Sequence, residues 1–391
     1  MSKFIPLSVP SLKGNELKYV TKAIEDEWVS TGGSFINKFE ENIAKYLNTN
    51  LAVACQSGTA GLHLALLLSG VEKNNEVIVP TLTFIAAVNP IKYIGAEPIF
   101  MDCDDSLTID VKKIREFCEK ECEFKNNMLI NKKTKKHIKA LIAVHVFGNI
   151  ADMEELVRIC EKYNLKLIED ATEALGTKFT SGKYKNKYAG TIGDFGVYSF
   201  NGNKIITTGG GGMIVAKNEE DLKKAKYLST QAKDSELYYV HNEIGYNYRM
   251  TNVQAAIGLA QLESLDNFIE IKKQNYIYYK NCLSHINSYD LLNFKEIIKP
   301  NYWFYSLIIN DKYNRDELLS YLNNKGIQCR PIWDLIHKQK PYKNCEAYKI
   351  EKAEYYLDKI INIPCSSSLT KMDIDYIIDE LKNFHSLKCG E

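Results

Sequence analysis

Along the first two-thirds of the chain, short apolar runs alternate with longer stretches in which apolar positions recur every three or four residues. The runs fall at residues 51–54, 76–80, 98–102, 140–145, 166–170, 197–200 and 213–216. Between and around them, residues 16–27, 35–46, 62–68, 83–93, 111–125, 153–163 and 222–228 carry a helical repeat. Near-continuous apolar strands separated by helices predict a mainly parallel sheet covered on both faces, an α/β fold. Residues 128–137 interrupt the pattern and read as a lysine-rich hairpin insertion on the surface.

A second α/β pattern follows. Thr251-Asn252-Val253-Gln254 is a capping box opening a helix to about residue 263. A long helix is expected over 265–285, then strands at 303–309 and 328–330 and helices at 315–325 and 373–384. The expected division is a large domain, residues 1–262 with an extended N-terminal arm, and a small C-terminal domain, residues 263–391.

Composition removes several classes. The 391 residues suffice for two such units. Lys+Arg 50 against Asp+Glu 49 leaves a formal net charge of +1, so no global field draws nucleic acid or an acidic membrane. No apolar run reaches membrane-spanning length, and the opening residues lack an apolar leader core. Ten cysteines without a Cys-x-x-Cys pair fit reduced thiols in a cytoplasmic protein better than a metal site.

The candidate chemistry gathers where the strands end, which is where open parallel sheets collect ligands. Ser57, Gly58, Thr59 and Ala60 follow the first strand and open a helix, aiming free N–H groups at an anion. A plain helix cap would use the same residues. Asp170 ends one strand and Ser199 another; Lys204 follows in a turn before Gly209, Gly210, Gly211 and Gly212. Taken alone, Lys204 reads equally as a surface lysine. Trp28, Ser30 and Thr31 lie in a polar loop that suits either a ligand contact or a packed turn.

A lysine amine, a strand-end carboxylate and several anion-accepting turns match the needs of pyridoxal 5'-phosphate. Its aldehyde joins a lysine, a carboxylate keeps its pyridine nitrogen charged, and N–H groups and hydroxyls take its phosphate. The rival on such a sheet, an NAD-dependent dehydrogenase, wants Gly-x-Gly-x-x-Gly directly after the first strand. Ser57-Gly58-Thr59-Ala60-Gly61 fails that spacing.

Five segments occur in a fixed order: Ser57-Gly58-Thr59-Ala60, Pro80-Thr81-Leu82-Thr83-Phe84, Glu169-Asp170-Ala171-Thr172-Glu173-Ala174, Tyr198-Ser199-Phe200-Asn201-Gly202-Asn203-Lys204, and Gly245-Tyr246-Asn247-Tyr248-Arg249-Met250. Together they resemble the DegT/DnrJ/EryC1/StrS family of nucleotide-sugar aminotransferases over essentially the whole chain. The resemblance implies a fold-type I enzyme dependent on pyridoxal phosphate, with a seven-stranded type of sheet, working as a homodimer with shared active sites. It implies Lys204 as the Schiff-base lysine and proton shuttle, Asp170 paired with the pyridinium nitrogen, Phe84 stacked on the ring and Glu173 near the ring hydroxyl. Gly58, Thr59, Ala60 and Ser199 are implied at the phosphate, joined by Asn247 from the neighbouring subunit. On its own residue type, Phe84 reads as a core aromatic, and Asp170 as a helix cap or ion-pair partner. Arg249, Trp333 and His337 join Trp28, Ser30 and Thr31 as candidates for substrate contact, although a lone histidine such as His337 is more often structural.

The implied reaction takes an amino group from L-glutamate, which leaves as 2-oxoglutarate, and gives it to a nucleotide-linked keto-sugar. A branch with histidine in place of the lysine dehydrates instead, so Lys204 favours transamination. Gly210 departs from the family pattern, which usually has glutamate there. Residues 78–86, 144–149 and 199–209 resemble the LegC-type and perosamine-synthase-type branch, and the insertion at 128–137 leans toward LegC. That branch implies amination at C4 of 4-keto-6-deoxy sugars, N-acetylhexosamines among them, feeding legionaminic acid and related surface glycans. Amination at C3, and a regulatory protein that kept the fold without the chemistry, are the alternatives.

Overall fold

The computed structural model describes residues 4–235, 237–310 and 314–389; the opening residues 1–3 read above for a leader lie outside them. An extended arm leads into α1 (Glu16–Glu25) and α2 (Ser34–Leu47). Then come β1 (Val53–Cys55), α3 (Gly58–Leu68), β2 (Glu76–Pro80), α4 (Asn89–Tyr93), β3 (Glu97–Met101) and α5 (Val111–Lys120). A hairpin, β4 (Cys122–Lys125) and β5 (Met128–Asn131), precedes β6 (His137–Val144), α6 (Met153–Tyr163) and β7 (Lys166–Asp170). After β8 (Lys178–Phe179) the chain forms β9 (Phe195–Ser199), β10 (Gly212–Ala216), α7 (Glu219–Ser229) and α8 (Asn252–Glu263).

The first sheet has ten strands, ordered β1-β10-β9-β7-β6-β2-β3 and then a late strand, β15 below, with β4–β5 attached at β6. Setting aside β4, β5 and the late strand leaves the seven that the resemblance implied. From β9 to the far edge all neighbours are parallel, and β10 is antiparallel between β9 and β1. Consequently β1, β2, β6, β7 and β9 all finish at one edge. The register places Cys55 beside Gly212 and Gly212 beside Ser199, and Val144 beside Asp170. α3 is almost wholly buried, which explains why its sequence is apolar all round rather than on one stripe.

The rest of the chain runs α9 (Leu265–Leu283), β11 (Tyr289–Leu291), β12 (Ile298–Lys299), β13 (Tyr305–Ile309), α10 (Arg315–Asn324), β14 (Arg330–Pro331), β15 (Glu346–Tyr348), α11 (Lys352–Leu357), β16 (Ile360–Ile363) and α12 (Lys371–Cys389). Four of these strands form an antiparallel sheet, β11-β13-β16-β14. The two halves exchange segments: β15 joins the edge of the first sheet beside β3, and Ile5 of the arm bridges to Ile327.

Two expectations need correction. Residues 83–93 are not one helix but a 3-10 turn, Ile85–Ala87, followed by α4. Pro90 sits in the first turn of α4, where its missing N–H is harmless; one continuous helix would lose a bond there and meet the ring. The helix expected over 111–125 stops at Lys120. Asn126 and Asn127 both adopt positive φ (52° and 61°), the signature of a tight hairpin turn, so 122–131 is a hairpin. Residues 128–137 form the hairpin expected there: β5 pairs antiparallel with the start of β6, Leu129 opposite Ile138 and Ile130 opposite His137, and β4 adds a further strand in front of it.

Candidate active site

Lys204 sits on a loop that leaves β9 and returns as β10. Its base is closed by the Phe200 N–H donating to the Gly211 carbonyl (2.9 Å) and the Thr208 N–H to the Phe200 carbonyl (2.9 Å). Gly212 lets the returning strand press on the Ser57 turn, since a Cβ there would meet the Ser57 carbonyl carbon at 2.6 Å. The Ser57 hydroxyl caps α3 by accepting from the Ala60 N–H (3.1 Å). Gly58 matters for a related reason: a Cβ would stand 3.0 Å from both the Ser199 Cβ and a Thr172 methyl, filling the cradle between three turns.

These turns enclose a cavity of about 320 Å³ lined by Ser57, Gly58 and Thr59, by Phe84, by Asp170, Thr172 and Glu173, and by Ser199 and Lys204. The opposite wall is aromatic: Trp303, Phe304 and Trp333. Of the expected residues, Gly58, Thr59, Phe84, Asp170, Glu173, Ser199, Lys204 and Trp333 share this one cavity. Ala60 lies one position deeper in α3, with its N–H held by Ser57.

The electrostatics are those of buried carboxyls around one amine. The Lys204 Nζ lies 3.6 Å from a Glu173 oxygen. The other Glu173 oxygen accepts the Phe147 N–H (2.9 Å). Burial pushes Glu173 up to about 7, although Lys204 and the Phe147 N–H pull the other way. Burial likewise raises Asp170, against the pull of Thr172 and Lys204. Asp170 is 3% exposed and accepts the Thr172 N–H at 3.1 Å; among the described residues no cation forms an ion pair with it. Glu169 beside it behaves oppositely. Burial pushes it up, but the His145 ring (2.7 Å) and the N–H groups of Gly190, Ile192 and Gly193 outweigh burial and bring it below its ordinary value.

Several expected residues lie elsewhere. Arg249 is buried in an ion pair with Glu40 and donates to the Ala54 carbonyl (3.2 Å). The His337 ring bonds the Thr81 hydroxyl (2.7 Å). Trp28 is 61% exposed, and its loop, with Ser30 and Thr31, is held by Asn252 away from the cavity. Asn247 is exposed and bridges to Thr230. Sequence reasoning missed Trp303, Phe304 and the buried Asn301 behind them. Their only local trace is an aromatic doublet before a strand.

A profile of the DegT/DnrJ/EryC1/StrS aminotransferase family matches residues 10–382. The chain belongs to this family. It is 39% identical over 393 residues to the GDP-perosamine synthase of Escherichia coli O157:H7, covering 99% of this chain and 100% of the relative. It is 29% identical over 376 residues to a UDP-4-amino-4,6-dideoxy-N-acetyl-beta-L-altrosamine transaminase of Campylobacter jejuni, with 94% of each chain covered. The PLP form of a putative sugar aminotransferase from Streptococcus pneumoniae superposes with a TM-score of 0.87 at 22% identity, over 99% of this chain and all of that one. Aminotransferases of this family use pyridoxal phosphate and act on nucleotide-linked sugars, and this chain is one of them. The cavity fits the cofactor: a cradle with no room for one more Cβ, a buried carboxylate that pairs with no cation among the described residues, and an amine lining the same cavity.

Proposed function

We propose that this aminotransferase moves an amino group from L-glutamate to C4 of a nucleotide-linked 4-keto-6-deoxy sugar. The observation that carries the proposal is the meeting of Lys204, Asp170 and Glu173 in one cavity with an aromatic opposite wall. The Campylobacter relative's name specifies a 4-amino-4,6-dideoxy-N-acetyl sugar on UDP, which supports C4 and an N-acetylhexosamine. The Escherichia relative's name specifies GDP, and its higher identity favours a second reading with a GDP-linked sugar. Products of this kind suit surface glycans such as those containing legionaminic acid.

Bound pyridoxal phosphate supplies the aldehyde that carries the amino group and a ring that stabilises negative charge at carbon. Lys204 would hold the cofactor through its amine, and the same amine when free would act as the general acid–base that moves a proton at the substrate carbon, which requires hydrogen-bond reach. Asp170 would pair with the ring nitrogen, and a cationic partner there would favour its charged carboxylate. Phe84 and Glu173, which line the same cavity, would hold the ring. Gly58, Thr59 and Ser199 would take the phosphate, where the first N–H groups of α3 lack intrahelical acceptors, with Ala60 beside them and its N–H on the Ser57 hydroxyl. Trp303, Phe304 and Trp333 keep water from the reacting atoms.

A second copy of the chain completes the site and contributes Asn247. That residue lies on a loop whose Leu237, Tyr238, Tyr239 and Ile244 are each at least 75% exposed, an apolar surface suited to a partner. The cytoplasm is the proposed compartment, where nine described cysteines remain free thiols. The test is incubation with L-glutamate and UDP- or GDP-linked 4-keto-6-deoxyhexoses, followed by NMR of the product. A C4 amine is the expected result. No transfer to any of these sugars would overturn the substrate assignment.

A further inference from the structure

Lys204 is held from two sides, and only one was written in the motifs. Opposite Glu173, the indole of Trp303 presents its face to the amine, with Nζ 4.2 Å from the ring centroid. That indole belongs to the C-terminal segment and is 2% exposed. Its Nε1–H donates to the carbonyl of Asn203, the residue next to Lys204, at 2.8 Å. Behind it, the buried Lys272 ammonium donates to the Trp303 carbonyl (3.0 Å) and to the Cys365 carbonyl. The Asn301 side chain accepts the Trp303 N–H (3.0 Å) and donates to the carbonyls of Glu173 (2.9 Å) and Leu175 (3.0 Å). Between them Tyr302 adopts φ 55°, a left-handed turn that costs free energy and persists only where its surroundings hold it.

We propose that Trp303 is a positioning residue for Lys204, clamping the free amine between the indole face and the Glu173 carboxyl. A buried indole N–H needs an acceptor in any case; what marks Trp303 is that its acceptor is the carbonyl next to Lys204 and that the turn before it is strained. The groups facing the amine are Glu173 and the indole, with Asp170 nearby and the His145–Glu169 pair behind Asp170. An aromatic face favours the cationic amine, so its removal makes the neutral, nucleophilic form more abundant at a given pH.

This inference rests on Lys204 being the working amine. The test uses the full-length protein freed of cofactor and trace acetic anhydride, with Lys204 acetylation followed by peptide mass spectrometry from pH 6 to 10 and normalised to surface lysines. W303L is expected to move the whole labelling profile to lower pH, raising Lys204 labelling near pH 8 by about threefold to tenfold. W303F retains a weaker aromatic face, loses the N–H bond to Asn203 and moves the profile the same way by less. A profile that changes only in height, which measures access alone, or that stays unmoved in W303F, overturns the inference even if W303L fails to fold. The underlying reading fails separately: wild-type protein loaded with pyridoxal phosphate and reduced with borohydride would then carry no label at Lys204.

Discussion

The two walls of the cavity are built by different rules. The wall made by the first sheet is polar and local: Ser57 to Thr59, Asp170, Glu173, Ser199 and Lys204 stand at strand ends, each set by a short turn. The facing wall is aromatic and assembled from afar: Trp303, Phe304 and Trp333 reach it from the C-terminal segment. Trp303 stacks on Phe304 with centroids 4.0 Å apart, and Phe147 joins Trp333 at 4.8 Å. In the proposed function the first wall carries charge and proton transfer. The second, on the same proposal, excludes water, shapes the space left for substrate and, through Trp303, faces the Lys204 amine, since close aromatic packing adds apolar contact without adding charge.

If chemistry belongs to the polar wall, Lys204→Ala is the sharpest break. It should lower kcat/KM by about 1,000-fold or more in protein that still folds. Arg249→Leu tests whether a motif residue outside both walls is structural. Removing it leaves the buried Glu40 only the Ala54 N–H and the more distant Lys226 ammonium, and stability should fall by about 3 kcal/mol in urea unfolding, with KM of the folded fraction unchanged. Glu173→Gln probes burial on the polar wall. Because Glu173 is raised from 4.5 to about 7, its stabilising contribution is complete below pH 4.5 and is lost as pH rises through about 7. The variant should therefore match wild type near pH 4 and exceed it by roughly 3 kcal/mol above pH 7 in cofactor-free protein. Trp333→Ala tests the aromatic wall. The expected result is a KM for the sugar about tenfold higher with kcat little changed, and a fall in kcat alone would assign that wall to chemistry instead.

The contrast between the walls also explains what the sequence made legible. Strand–turn–helix spacing at Ser57 and strand-end positions at Asp170 and Ser199 are local patterns, so they pointed to one shared edge before any coordinates. The tandem Asn126-Asn127 was an equally local hairpin signal, overridden by the helical repeat of the residues before it. Trp303 is different. It reaches Lys204 because Asn301, Tyr302 and Lys272 fix a turn against residues about 30 to 130 positions away, and periodicity carries no trace of such contacts. Arg249 shows the converse. A charged residue inside a family-like segment invites a ligand role, whereas its guanidinium is committed to Glu40 and Ala54, partners some 200 residues earlier.

The central claim is that the amine of residue 204 is the one that joins the cofactor. Reducing the cofactor-loaded protein with borohydride and mapping the modified peptide by mass spectrometry tests it directly. The account predicts a single pyridoxyl-phosphate mass on the peptide containing Lys204. The same mass on any other lysine, with residue 204 unmodified, would contradict it.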